Sequence, residues 1–158
     1  MKHFFSTRIS MLTIIILLGA IPVAAVERPF ASNGNGTLAI VTDGAGNVIG
    51  GSLTASGTAT HLGLWTASGA VEFAADFKNP SLVHPTGTIT FTAANGDKLE
   101  GALEDGVLDV NTGIANGTLL FVGGTGRFEG ASGSVAYVVS QNLVTGAFEI
   151  TTVGRINF

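Results

Sequence analysis

The sequence predicts an all-β protein, a single antiparallel sheet of about eight strands. Three observations carry this. Short apolar runs with period two recur along the chain, they are separated by Gly, Asn and Asp punctuation, and no segment beyond residue 25 has the 3.6-residue period of a long helix. Strands that follow one another through short turns form a meander, and a meander of this length closes as a barrel or packs as a sandwich.

The elements follow in order. GTLAIVT, Gly36 to Thr42, puts Leu38 and Ile40 on one face. GTITFTA, Gly87 to Ala93, puts Ile89 and Phe91 on one face and Thr88, Thr90 and Thr92 on the other. GTLLFVG begins at Gly117, SVAYVVS at Ser134 and GAFEITTV at Gly146. All are rich in the β-branched and aromatic residues that suit a half-buried pleated surface. Asn95-Gly96 is a strong hairpin signal, because a tight primed turn needs positive φ. Asp43 to Asn47 and Asn142 to Gly146 read the same way. GTLAIV, GTITFT and GTLLFV are each followed by a turn and a Gly-containing return, but their spacing is too irregular for a solenoid. DFKNPSLVHPT, Asp76 to Thr86, carries two prolines and no alternation. It reads as a loop, either a plain surface crossover or a cover over one barrel mouth.

The first residues are read apart from this domain. Lys2, His3 and Arg8 precede an apolar run, Met11 to Leu18, and then small residues ending Val23-Ala24-Ala25. The run is short for a bilayer span, so residues 1–25 are expected to be a signal peptide, with 26–158 the single folded domain. The localisation implied is secreted or extracytoplasmic, with no membrane association after cleavage. Five basic residues remain against eleven acidic ones, a net charge of −6, which argues against nucleic acid as a partner. With no cysteine, the domain rests on its core alone and has neither a thiolate nucleophile nor a Cys-ligated metal.

The search for chemistry centres on GGTGRFEGASG, Gly123 to Gly133. A dinucleotide fingerprint needs G-x-G-x-x-G opening a helix. Gly124, Gly126 and Gly130 are one residue too widely spaced, and a strand follows. A P-loop needs Gly-Lys, and Gly126 is followed by Arg127. The stretch therefore reads as a structural turn. Its glycines permit positive φ, Phe128 turns inward as a plug, and Ala131 and Gly133 allow close backbone approach. Arg127 and Glu129 are expected to be solvated or pinned to nearby backbone.

Leu119 to Gln141 resembles the signature hairpin of the allene oxide cyclase and dirigent-protein barrels. Those families carry a strand, then G-G-[TS]-G-x-F-x-x-[AV]-x-G, then a return strand. Gly123, Gly124, Thr125, Gly126, Phe128, Ala131 and Gly133 match. The resemblance implies a single eight-stranded antiparallel barrel that holds an apolar ligand, and assembly into a homo-oligomer through outer faces. The activities it implies are cyclisation of an unsaturated apolar substrate or steering of radical coupling. The families' catalytic residues do not transfer. The region where the cyclases place a carboxylate and an asparagine reads NGNGTLAIVTD here, with Asn33 and Asn35 before the strand and no acid within it. The competing reading is a filled barrel that acts through its surface.

Candidate ligand-binding residues are His61, Trp65 and Tyr137. GTATHLGLWTASG read as one strand puts His61, Gly63 and Trp65 on one face and Leu62 and Leu64 on the other. Burial favours the leucine face inward, since two leucines outweigh one tryptophan. Tyr137 shares an apolar face with Val135 and Val139, so its hydroxyl sits in a cavity or at the core's rim. No cofactor is called for. His61 and His84 have no spacing that favours a metal site, and Asp105, Asp109 and Asn111 lack the D-x-D-x-D-G pattern of calcium loops. Asp97, Glu100, Glu104 and Asp105 read as a solvated hairpin face.

Overall fold

The computed structural model describes residues 26–158. The expected signal peptide, residues 1–25, lies outside the described residues. Eight strands form a closed antiparallel barrel in sequence order: β1 Glu27–Thr42, β2 Val48–Ala59, β3 Gly63–Ala75, β4 Leu82–Ala93, β5 Lys98–Asp109, β6 Ile114–Gly124, β7 Ser132–Gln141 and β8 Ala147–Asn157. β1 pairs with both β2 and β8, so the first and last strands close the ring. All-β class, antiparallel pairing and strand number agree with the sequence reading.

An up-and-down barrel puts alternate turns at opposite ends. Residues 43–47, 76–81, 110–113 and 142–146 lie at one end. Residues 60–62, 94–97 and 125–131 lie at the other, together with the start of β1 and the end of β8. The punctuation residues do their expected work. Gly46, Gly96 and Gly146 all have positive φ. Asp43 accepts backbone N–H bonds from Ala45 and Asn47, which ties the first turn.

The second end is plugged. β6 runs into a single turn of 3-10 helix, Gly126–Phe128, before β7 begins. Phe128 is 0 % exposed and meets Phe158 edge to face at 5.1 Å. Phe30 and Phe121 pack nearby in the core, 4.9 Å apart. Thr125 Oγ1 accepts from the Lys98 N–H at 3.0 Å, which ties the loop to the β4–β5 turn. Arg127 pairs with Asp97 at 3.6 Å and lies over the Phe128 ring. Asp97 is thus part of the loop's anchorage rather than only a solvated charge. At Gly133, with φ 133°, a Cβ would strike the Arg155 carbonyl.

Two local expectations are corrected. Residues 76–86 are not one loop, because β4 begins at Leu82. Proline survives in this strand because the β4–β5 register shifts between Val83 and Gly87, so Pro85 sits where the ladder needs no N–H. β5 bulges opposite, between Glu104 and Val107, with Asp105 at φ 51°. Nor is GTATHLGLWTASG one strand. The chain turns at 60–62, with His61 at φ 67°, and period-two counting cannot pass through that turn. Leu62 is buried in the turn, Leu64 is 69 % exposed on the outer wall, and Trp65 faces inward.

Candidate functional site

The interior is not filled from end to end. A cavity of about 90 Å³, counted as space open to the centre of a water-sized sphere, runs inward from the end opposite the plug. A single water needs roughly 10–15 Å³ on that measure, so the space suits a ring-sized organic molecule. Phe73, Pro85, Leu108, Gln141 and Phe148 line it on the stretches of strand nearest its mouth. Trp65 and Phe91 line it at the plugged end, 5.3 Å apart and edge to face. Among the described residues, no carboxylate, imidazole, lysine or arginine lines the cavity.

Bare backbone makes room for the two largest polar-tipped side chains. Gly34 on β1 pairs with Gly57 on β2, and Trp65 lies against both. A Cβ at Gly34 would sit 2.6 Å from the indole ring. Tyr137 lies against Gly106 on β5 and Gly117 on β6, where a Cβ at either would sit 2.7 Å from the hydroxyl. The glycine-rich composition thus buys interior width at these two rings. Because Gly34 and Gly36 take the inward positions of β1, Asn33 and Asn35 lie within the strand with exposed side chains. Neither reaches the cavity.

The polar tips are unusual. Trp65 is 3 % exposed and Tyr137 is 4 % exposed. The Trp65 indole N–H and the Tyr137 hydroxyl have no protein hydrogen-bond partner, and they alone are in that condition among the buried side chains described. Elsewhere inside the barrel polar groups are paired: Ser32 and Thr152 share a hydrogen bond of 2.8 Å between strands. Burying a hydroxyl or N–H without a partner costs about 1–3 kcal/mol. Burial also pushes the Tyr137 phenol up to about 12, so it keeps its proton at any physiological pH.

The structure separates the three sequence candidates. Trp65 and Tyr137 line the same cavity, whereas His61 does not. His61 sits in the 60–62 turn at the plugged end, 3.0 Å from the Pro29 carbonyl and edge-on to Phe158 at 5.4 Å. Gln141 was missed, although it continues the inward parity of Val135, Tyr137 and Val139. Gly106 and Gly117 carry no chemistry of their own, and only the fold brings them under Tyr137.

The mouth has its own features. His84, beside Pro85, has its Nδ1 3.0 Å from the Gly106 carbonyl and its Nε2 3.2 Å from Asp76. Two acceptors favour the doubly protonated ring, and the Asp76 bond in particular raises the His84 pKa. Asp76 is held below its ordinary value, first by the Lys78 N–H and then by His84. This pins the 76–81 turn to the β5 bulge. Around the rim, Phe77 is 100 % exposed and Val144 95 %, with Val41, Ile49 and Ile114 also exposed.

No protein-family model matches this chain, and no curated protein matches it significantly. The barrel is similar to a solved dirigent protein. That structure, the pterocarpan synthase dirigent protein GePTS1, aligns with 88 % of this chain and 89 % of its own at a TM-score of 0.53. Sequence identity is 14 %, so the likeness is one of fold. The chain shares the eight-stranded barrel fold of that structure.

Proposed function

We propose that this protein is an exported barrel that binds a small, largely apolar molecule in its interior. The observation that carries the reading is the coincidence of cavity and chemistry. The two unpartnered buried polar tips belong to residues that line one cavity, and the remaining wall is almost wholly apolar. Ligand pockets commonly combine an apolar lining with a few polar groups that fix orientation. An apolar rim supports entry from the same end.

Binding is favoured over acid–base catalysis. The cavity wall holds no group that would exchange protons near neutral pH, since Tyr137 keeps its proton. The hairpin resemblance to allene oxide cyclase and dirigent barrels is taken as shared architecture with a shared habit of enclosing apolar molecules. A cyclase or isomerase activity would rest on analogy of fold. Export is read from residues 1–25, and assembly with further copies from the same resemblance.

Native mass spectrometry of protein purified from its own host tests this. The expected result is a retained organic molecule of defined mass, with the oligomeric state read from the same spectrum. Trp65 is the only tryptophan, so its emission reports occupancy directly. If no molecule is retained and Trp65 emission ignores a panel of ring-sized apolar compounds, the reading fails.

A further inference from the structure

We propose that the occupant of the cavity lies apolar end inward and keeps one uncharged end group at the mouth, a hydroxyl in the simplest case, where the Gln141 carboxamide binds it. This rests on the cavity-binding reading above and adds the polarity and orientation of the occupant.

Gln141 is the last residue of β7, at the mouth, and continues the inward positions of Tyr137 and Val139. Apart from Trp65 and Tyr137, it is the one lining residue whose side chain carries a polar group. The tips of those two rings are sealed by their neighbours. The Gln141 carboxamide is not sealed, and it has no hydrogen-bond partner among the described residues. Its backbone is fixed on both sides. The Gln141 N–H donates to the Gly113 carbonyl at 2.8 Å, and Phe148 pairs with it across the β7–β8 ladder. The amide is therefore a reachable donor and acceptor on a stem held in place.

Deeper in, from Leu53 and Val71 to Trp65 and Phe91, the wall offers no reachable polar side-chain atom. A hydroxyl carried that far would lose its water and gain no side-chain partner, so it stays at the mouth. A hydroxyl suits a carboxamide because each both donates and accepts. Charge is less well met there. The mouth turns, with the strand ends that flank them, carry Asp43, Asp76 and Asp109 against Lys78. All three carboxylates accept N–H bonds within their own turns. The nearby His84 is engaged by Asp76 and the Gly106 carbonyl. An anionic head thus meets no surplus of cations, and a cationic head no unengaged carboxylate.

Three end groups, each on a cyclohexane and on a decalin skeleton, test this: hydroxymethyl, the similar-sized ethyl, and carboxylate. Titration calorimetry gives affinities for the unaltered protein and for Gln141→Leu. The ratio of hydroxymethyl to ethyl affinity should fall about fivefold in the variant. On the unaltered protein, nitrogen-edited NMR should show the Gln141 side-chain NH2 pair moving downfield with the hydroxymethyl compound and not with the ethyl compound. Cross-relaxation from the Trp65 indole should reach the skeleton protons and not the CH2OH protons. An unchanged ratio, or an NH2 pair that ignores the hydroxymethyl compound, overturns this inference and leaves cavity binding standing. Cross-relaxation from Trp65 to the CH2OH protons overturns the orientation. Tightest binding of the carboxylate overturns the uncharged class. Failure of all six compounds to bind overturns the cavity-binding reading, and this inference with it.

Discussion

Replacing Tyr137 by phenylalanine should stabilise the ligand-free protein. The hydroxyl lies against the bare backbone of Gly106 and Gly117, in a residue 4 % exposed, with no partner among the protein's own groups. Relief of an unpaired buried hydroxyl is worth about 1–3 kcal/mol. Losing one oxygen's volume opens a space of roughly 10–15 Å³, which costs about 0.3 kcal/mol at ~24 cal/mol per Å³. The net expectation is a gain of about 1–2 kcal/mol. Urea unfolding followed by the emission of Trp65 measures it. With a slope of about 2 kcal/mol per molar, the middle of the usual range for small domains, the midpoint should rise by roughly 0.5–1 M. A loss of stability of about 1 kcal/mol or more would refute the reasoning, because the hydroxyl would then have a partner worth keeping. A stabilising change at a cavity-lining residue is the trade expected where a binding site keeps an unpaired polar group.

Phe128→Ala should cost about 3–5 kcal/mol, since the ring is fully buried at the plug, and thermal unfolding should show a correspondingly lower midpoint. Gly117→Ala would set a Cβ 2.7 Å from the Tyr137 hydroxyl and 2.9 Å from Gly106 Cα, so overpacking should cost about 1–3 kcal/mol, read as a lower urea midpoint. At the mouth, the folded pKa of His84 lies above 6.5, so its contribution is complete below about 6.5 and fades as pH rises through the raised value. That of Asp76 lies below 3.8, so its contribution is complete above about 3.8 and is lost as pH falls through the lowered value. The contact is therefore at full strength between those limits, and an NMR titration of His84 should give a midpoint above 6.5 that drops on Asp76→Asn.

The sequence was legible where one local rule governs. Ile89 and Phe91 alternate with threonines through an unbroken strand, so parity placed them inside. Gly96 and Phe128 are fixed by turn chemistry within a few residues. Legibility ended where parity was interrupted. Leu62, Leu64 and Trp65 were counted across a turn that resets the alternation, so the burial argument pointed at a leucine that faces solvent. The first part of β4, residues 82–86, was hidden by Pro85, whose missing N–H is harmless only because a bulge lies there. The cavity itself was not legible. It depends on which glycines of β1, β2, β5 and β6 come to lie beneath Trp65 and Tyr137, and that is set by register between distant strands.

Closure of the ring by β1 and β8 bears on how the chain folds. Each neighbouring pair of strands can form as a local hairpin, but the outer edge of β1 has no partner until β8 arrives. The Ser32–Thr152 hydrogen bond across that seam joins residues 120 apart in sequence. Contacts of such separation slow folding, because the chain entropy is lost before the pairing is gained. Until the seam shuts, two strand edges stand open to other chains. Losing the last strand would make that exposure permanent, so a chain cut before Ala147 should aggregate rather than persist as a seven-stranded monomer.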